Sequence, residues 1–240
     1  MKTPIKFLAQ THPKIWAVIP AAGSGRRFSQ TALKQYQMID DQTVLEHTIG
    51  RLNHLSLSGY VLAIGARDDF ARTLNFAQSD QTHFCIGGVE RVDSVLNALH
   101  YLSPIASDDD WVLVHDAARP CVTQKCLSRL IHTAITENCS AILAIPVRDT
   151  LKCVKQAEQI QSTVSRDFLW QAQTPQIAKL GLLKQAIEQA LKDGANITDE
   201  ASALEHVGAV VKVVQGRSDN IKITYSDDLE LAKLILNAQK

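Results

Sequence analysis

Short apolar runs alternate with amphipathic stretches along this chain, and that alternation limits its possible folds more than any other feature. The runs Ile15–Pro20, Tyr60–Ile64, His83–Ile86, Trp111–His115, Ala141–Val147, Val210–Val214 and Ile221–Thr224 read as strands. Helical patterns fall at Thr43–Leu57, Asp69–Phe76, Val92–Leu102, Gln124–Glu137, Lys179–Leu191, Asp199–His206 and Asp227–Asn237. Thr43 and Glu46 ahead of an apolar face form a capping box that supports the first of these. Such alternation predicts an α/β fold, a mostly parallel sheet with helices on both faces and right-handed connections. Ligands of open sheets like this gather beyond the carboxyl ends of the strands.

One segment breaks the rhythm. Asp149–Gln161 and Ser162–Trp170 hold two short alternating runs, Thr150–Lys155 and Ile160–Val164, joined by polar residues. That pattern predicts a hairpin with no helix to cover it. Such a hairpin must pack elsewhere, against a second subunit or down on its own domain.

Bulk properties narrow the class. At 240 residues the chain has room for one large domain, or one domain and a small appendage. Its 25 basic and 25 acidic residues cancel, so neither nucleic acid nor an acidic membrane is an expected partner. No stretch approaches the roughly 18 to 20 apolar residues of a membrane span. Residues 1–14, with three lysines and two prolines, read as a loose tail rather than a signal peptide, leaving 15–240 as the domain. Five scattered cysteines lack Cys-x-x-Cys spacing, and no histidine stands at metal-ligand spacing from them. They suit a reducing, cytoplasmic compartment.

The first strand spills into Pro20-Ala-Ala-Gly-Ser-Gly-Arg-Arg27, with Lys34 seven residues further on. Ala21, Ala22, Gly23 and Gly25 have almost no bulk, so a backbone here can come close to a ligand. Exposed N–H groups make an anion-binding concavity, and Arg26, Arg27 and Lys34 add fixed positive charge. The chemistry indicated is polyphosphate recognition. The loop lacks the third glycine of G-x-G-x-x-G and the Gly-Lys-Ser/Thr ending of a Walker A loop.

A second block, Trp111–Pro120, ends a buried strand in His115-Asp116 at the same sheet edge. A polyphosphate brings Mg²⁺, a hard ion held by one or two carboxylates and the phosphates themselves, so Asp116 is the candidate metal ligand. Arg119 could clamp an anion, and His115 reads as an orienting residue rather than a catalyst. Gly87-Gly88 could admit a flat base, with Arg91 reaching a phosphate and Ser94 donating; a plain turn and helix start fit equally well. Thr198 opens a helix, either as a cap or as a phosphate donor. Lys222, within an apolar run, is a charge stabiliser or an edge-strand lysine.

Together these residues resemble the 2-C-methyl-D-erythritol 4-phosphate cytidylyltransferases of the non-mevalonate isoprenoid pathway. The matching pieces run in order: 20–27, Lys34-Gln-Tyr36, Gly87-Gly88 with Arg91 and Ser94, 114–120, 146–152, Trp170 through Gln176, 197–202 and 219–224. They span about residues 15 to 225. Val89 stands where an acidic residue can occur in the family, and the N-terminal tail is extra.

The resemblance implies a Rossmann-like fold of the nucleotide-diphospho-sugar transferase type, with a protruding β-arm over about 148–170 that joins a homodimer. It implies CTP and 2-C-methyl-D-erythritol 4-phosphate as substrates and Mg²⁺ as cofactor. Ala21, Ala22, Gly23, Ser24, Gly25, Arg26, Gly88, Arg91 and Ser94 would bind the nucleotide. Arg27, Lys34 and Lys222 would be catalytic. Asp116, Arg119, Thr150, Arg166, Thr174, Thr198 and Lys222 would hold the acceptor, with Asp116 also at the metal. The rival readings are a cytidylyltransferase for another polyol phosphate, such as ribitol 5-phosphate, and a non-catalytic nucleotide-binding protein.

Overall fold

The computed structural model describes residues 13–23, 28, 33–155 and 158–240. The expected tail, apart from residues 13 and 14, and the loop residues Ser24, Gly25, Arg26 and Arg27 lie outside them. Strands β1 (Ile15–Pro20), β2 (Met38–Ile39), β3 (Gln42–Thr43), β4 (Gly59–Ile64), β5 (Thr82–Ile86) and β6 (Trp111–Val114) precede β7 (Ser140–Pro146). The remaining strands are β8 (Leu151–Val154), β9 (Ile160–Val164), β10 (Trp170–Lys179) and β11 (Val211–Gln215). Helices are α1 (Val44–Leu52), α2 (Phe70–Thr73), α3 (Arg91–Leu102), α4 (Gln124–Glu137), α5 (Leu180–Lys192), α6 (Glu200–His206) and α7 (Asp227–Ala238).

Seven strands form one sheet in the order β11-β7-β10-β6-β1-β4-β5. Four of its pairings are parallel, and β10 runs antiparallel to both β6 and β7. Alternation along β1 sends Ile15, Ala17 and Ile19 into one core with α1 and α4, and Trp16 and Val18 into another with α3, α5 and α6. Both faces are therefore covered, which is why the central strands read as continuous apolar runs rather than alternating ones.

Helix α4 occupies the expected Gln124–Glu137, capped by Thr123, whose hydroxyl accepts from the Cys126 N–H. The predicted capping box is formed: the Glu46 N–H donates to Thr43 Oγ1 and the Thr43 N–H to Glu46 Oε2. Helix α1 nevertheless stops at Leu52, because Leu55 and Leu57 continue its apolar period from a tight turn without helical backbone. The expected helix at Asp69–Phe76 shrinks to the single turn of α2.

Two expectations for the sheet are corrected. Ile221–Thr224 is no strand; it is a loop pinned by the Ile223 N–H donating to Ala118 O. The strand missing from the sequence reading is β10, which lies between β6 and β7. Its register jumps between Gln173 and Gln176, so Thr174 and Pro175 bulge out of the ladder. Strands β8 and β9 form the expected hairpin as a separate two-stranded sheet, with Leu151 opposite Val164. Its flanks are exposed, including Phe168 and Trp170.

Candidate active site

Strand β1 has β4 on one side and β6 on the other, so the chain reverses its direction of strand addition there. The crevice beyond their carboxyl ends is where such sheets bind ligands. It holds a cleft of about 710 Å³, lined by Pro20, Ala21 and Gly23 after β1, Gly88 through Arg91 after β5, and Asp116 through Ala118 after β6. Lys34, Ser94, Thr198, Lys222 and Thr224 close its sides. Most of the described sequence-predicted residues thus converge.

The loop after β1 is held from behind. The Ala21 N–H donates to Ala63 O, and the buried Gln35 amide donates to Ala21 O at 2.8 Å. A Cβ added to Gly23 would meet no described atom within 4 Å, so that face opens to the cleft. The glycine pair after β5 differs. A Cβ on Gly87 would fall 2.4 Å from Ala22 Cβ, and one on Gly88 would fall 2.1 Å from Asp93 Cβ. Packing alone therefore requires both glycines. Ser94 is buried and its Oγ accepts from the Gly88 N–H at 3.0 Å, bracing this turn.

Asp116 is the electrostatic hub. Oδ1 accepts from Arg91 Nε at 2.8 Å, while Oδ2 meets Lys222 Nζ at 2.8 Å and Arg119 Nε at 3.5 Å. Burial alone would raise its pKa, but Arg91, Lys222 and Arg119 hold it well below the usual carboxylate range. The other two atoms of the Arg91 fork bind Glu200, at 2.7 and 3.1 Å. Burial alone would lower the Arg91 pKa; Glu200 and Asp116 reverse that and raise it. Arg91 and Arg119 were expected to grip ligand anions. Here Arg91 is committed to two carboxylates, and Arg119 to Asp116 and the Asn220 carbonyl. Lys222 and Lys34 line the cleft as well, with Lys34 Nζ donating to Ile223 O at 3.1 Å.

Thr174 sits behind the cleft rather than in it. Its buried Oγ1 accepts from the Asp116 N–H and lies 3.0 Å from His115 Nδ1. His115 Nε2 faces Arg119 O, which can only accept, so Nε2 carries the proton. Nδ1 then accepts from the Thr174 hydroxyl, whose lone pair takes the Asp116 N–H. Every group is satisfied only with His115 neutral, and burial accordingly pushes its pKa down to about 4. His115 orients the loop, as expected of it.

Three other expected residues lie apart from the hub. Asp199, not Thr198, caps α6, its carboxylate accepting from the Ser202 N–H, which leaves Thr198 at the cleft wall. Thr150 and Arg166 lie on the exposed flanks of the hairpin and do not line the cleft; Arg166 donates to Arg148 O. Two residues the sequence reading passed over, Gln35 and Glu200, are buried at the site. Both stood inside quoted motifs, and only their lack of an obvious chemical task hid them.

A switch-point cleft that gathers small-residue loops, lysines and one buried carboxylate is the site of a Rossmann-like nucleotidyltransferase. Residues 15–238 match the model of the family IspD: 2-C-methyl-D-erythritol 4-phosphate cytidylyltransferase, and the chain belongs to that family. A relative of that name from Acinetobacter baumannii (strain SDF) is 70% identical over 226 residues, covering 94% of this chain and 95% of its own. A solved 4-diphosphocytidyl-2C-methyl-D-erythritol synthase superposes with TM-score 0.82 at 38% identity, covering 94% of this chain and 100% of its own. The 2-C-methyl-D-erythritol 4-phosphate cytidylyltransferase of Francisella tularensis gives TM-score 0.80 at 35% identity over 92% and 99% of the two chains.

Proposed function

We propose that the cleft transfers CMP from CTP to 2-C-methyl-D-erythritol 4-phosphate in isoprenoid precursor synthesis, residues 15–240 acting as one cytidylyltransferase domain. A phosphate oxygen of the acceptor attacks the α-phosphorus of CTP in line. The new O–P bond forms as the bond to the β-phosphate oxygen breaks, and pyrophosphate leaves with the electron pair. The observation that carries this reading is the pairing of Lys34 and Lys222 in a cleft whose described lining holds no histidine or cysteine. An acceptor that is already an anion needs no proton removed, so catalysis reduces to positioning and charge stabilisation.

Lys34 meets the triphosphate and, with Arg27, stabilises the charge that grows on pyrophosphate. Lys222 and Thr198 take the acceptor phosphate, and the loop from Ala21 to Arg26 with Gly88 holds the nucleotide. Among the described residues no group of three or more His, Cys, Asp or Glu could cage a metal. An ion held mainly by substrate phosphates fits this donor set, because Mg²⁺ commonly takes only one or two carboxylates. Asp116 fits that role: its oxygens offer about four lone-pair sites, and three cations engage them here. Mg²⁺ held there would neutralise phosphate charge.

Thr150 and Arg166 act on the acceptor when the hairpin of one copy enters the cleft of another, the working unit being a homodimer through about 148–170. The enzyme acts in the cytoplasm; among the described residues no helix is long and apolar enough to cross a membrane. Pyrophosphate release measured with CTP, ATP, GTP and UTP against methylerythritol phosphate and ribitol 5-phosphate tests the reading. Turnover is expected with CTP and methylerythritol phosphate; preference for ribitol 5-phosphate or another nucleotide would overturn it.

A further inference from the structure

Glu200 has no place in the functional reading above, yet it is one of the most thoroughly buried carboxylates in the molecule, 3% exposed. Burying a carboxylate is costly unless it is paired and hydrogen-bonded. Here both oxygens accept from the Arg91 fork, a bidentate geometry that fixes the plane of the guanidinium as well as its position. The remaining Arg91 donor, Nε, is thereby aimed at Asp116 Oδ1 at 2.8 Å. A chain of carboxylate, guanidinium and carboxylate thus crosses the floor of the cleft, from α6 through α3 to the end of β6.

Glu200 is itself held from both sides by one side chain of β10. Gln176 Nε2 donates to Asp199 Oδ2 at 2.9 Å, and Gln176 Oε1 accepts from the Ala201 N–H at 2.9 Å. Gln176 is 2% exposed and pairs in the ladder with Val114, two residues before Asp116. The central strand therefore references both ends of the chain to one frame.

We infer that Glu200 is a positioning residue: through Arg91 it fixes Asp116 and so sets the acceptor half of the cleft. This rests on the proposed cytidylyl transfer, with Asp116 on the acceptor side. The role requires the negative charge and both oxygens of Glu200, and it acts only through Arg91.

Steady-state kinetics of wild type, Glu200→Gln, Arg91→Gln and the double variant test it. Groups that orient a reacting side chain typically change activity about 10- to 100-fold, so Glu200→Gln should raise KM for methylerythritol phosphate about tenfold or more and leave KM for CTP within about twofold. In the Arg91→Gln background the same change should add almost nothing. A purely structural role would instead lower melting temperature and active fraction and leave both KM values alone. That result, a matched rise in both KM values, or full additivity in the double variant would overturn the inference. If Glu200→Gln fails to fold, Glu200→Asp, which keeps the charge but draws the carboxylate back from the Arg91 fork, must show the same selective KM rise; wild-type KM values in it would refute the role. Absence of wild-type turnover would overturn the functional reading itself.

Discussion

The floor of the cleft and the β8–β9 hairpin handle their polar residues in opposite ways. On the floor, Arg91 joins Asp116 to Glu200, and Arg119 and Lys222 pair with Asp116, all within one chain. On the hairpin and its flanks, Thr150 and Arg166 are exposed, beside uncovered Val154, Ile160, Phe168 and Trp170. Residues whose geometry must be set before a ligand arrives are buried and over-determined, which is how preorganisation is obtained. Residues left at the surface with apolar neighbours need a second body to acquire a geometry. The two regions should therefore respond differently to the same kind of substitution.

The largest expected effect is on the floor. Asp116→Ala leaves Arg91, Lys222 and Arg119 facing one another, and removing one partner from a buried ion-pair network typically costs about 3–5 kcal/mol. Denaturant unfolding should show that loss; unchanged stability would mean the hub is not structural. Lys34→Ala sharpens the contrast between charge that holds the fold and charge that serves the ligand. It should cut turnover by about 10²–10³, as loss of one preorganised donor does, with little change in melting temperature.

Thr174→Val probes the support beneath Asp116. It strands the Asp116 N–H and His115 Nδ1, and a buried unsatisfied group costs about 1–3 kcal/mol, whereas Thr174→Ser keeps both bonds and should be nearly silent. The same cluster predicts a pH response. His115 titrates near 4 when folded against an ordinary value of 6.5. Above 6.5 both states hold it neutral; below, the unfolded chain takes up a proton that the native state refuses, so stability falls as pH drops from about 6.5 to about 4. A His115→Gln variant should show a flatter acid limb over that window. On the hairpin, Arg166→Ala should lower activity with no change in protomer melting temperature, the smallest stability effect of the set.

Strand β1, β6 with Asp116 just beyond its end and the bounds of α4 were legible because local patterns determine them: apolar runs and a capping threonine. Strand β10 was not. Gln171, Gln173, Gln176 and Pro175 carry no strand pattern, and only the fold supplies what buries Gln173, Pro175 and Gln176. Gln173 Nε2 donates to Arg217 O, and Gln176 bridges to Asp199 and Ala201. Ile221–Thr224 erred the other way: its apolar residues pack beside α7 without a ladder partner. The internal partners of Arg91 and Arg119, carboxylates and a carbonyl, were equally out of reach of the sequence. Side-chain type alone does not say which of these cations is paired internally; tertiary contacts do.

We propose that the cleft is built within one chain and completed by the hairpin of another. Mixing Lys34→Ala with Arg166→Ala chains under proven subunit exchange tests it most directly. If Arg166 acts across a two-fold interface, each heterodimer carries both defects in one site and an intact second site, so a random equal mixture should recover about a quarter of wild-type activity. A mixture no more active than either parent would show that the hairpin serves its own chain, and would contradict the account.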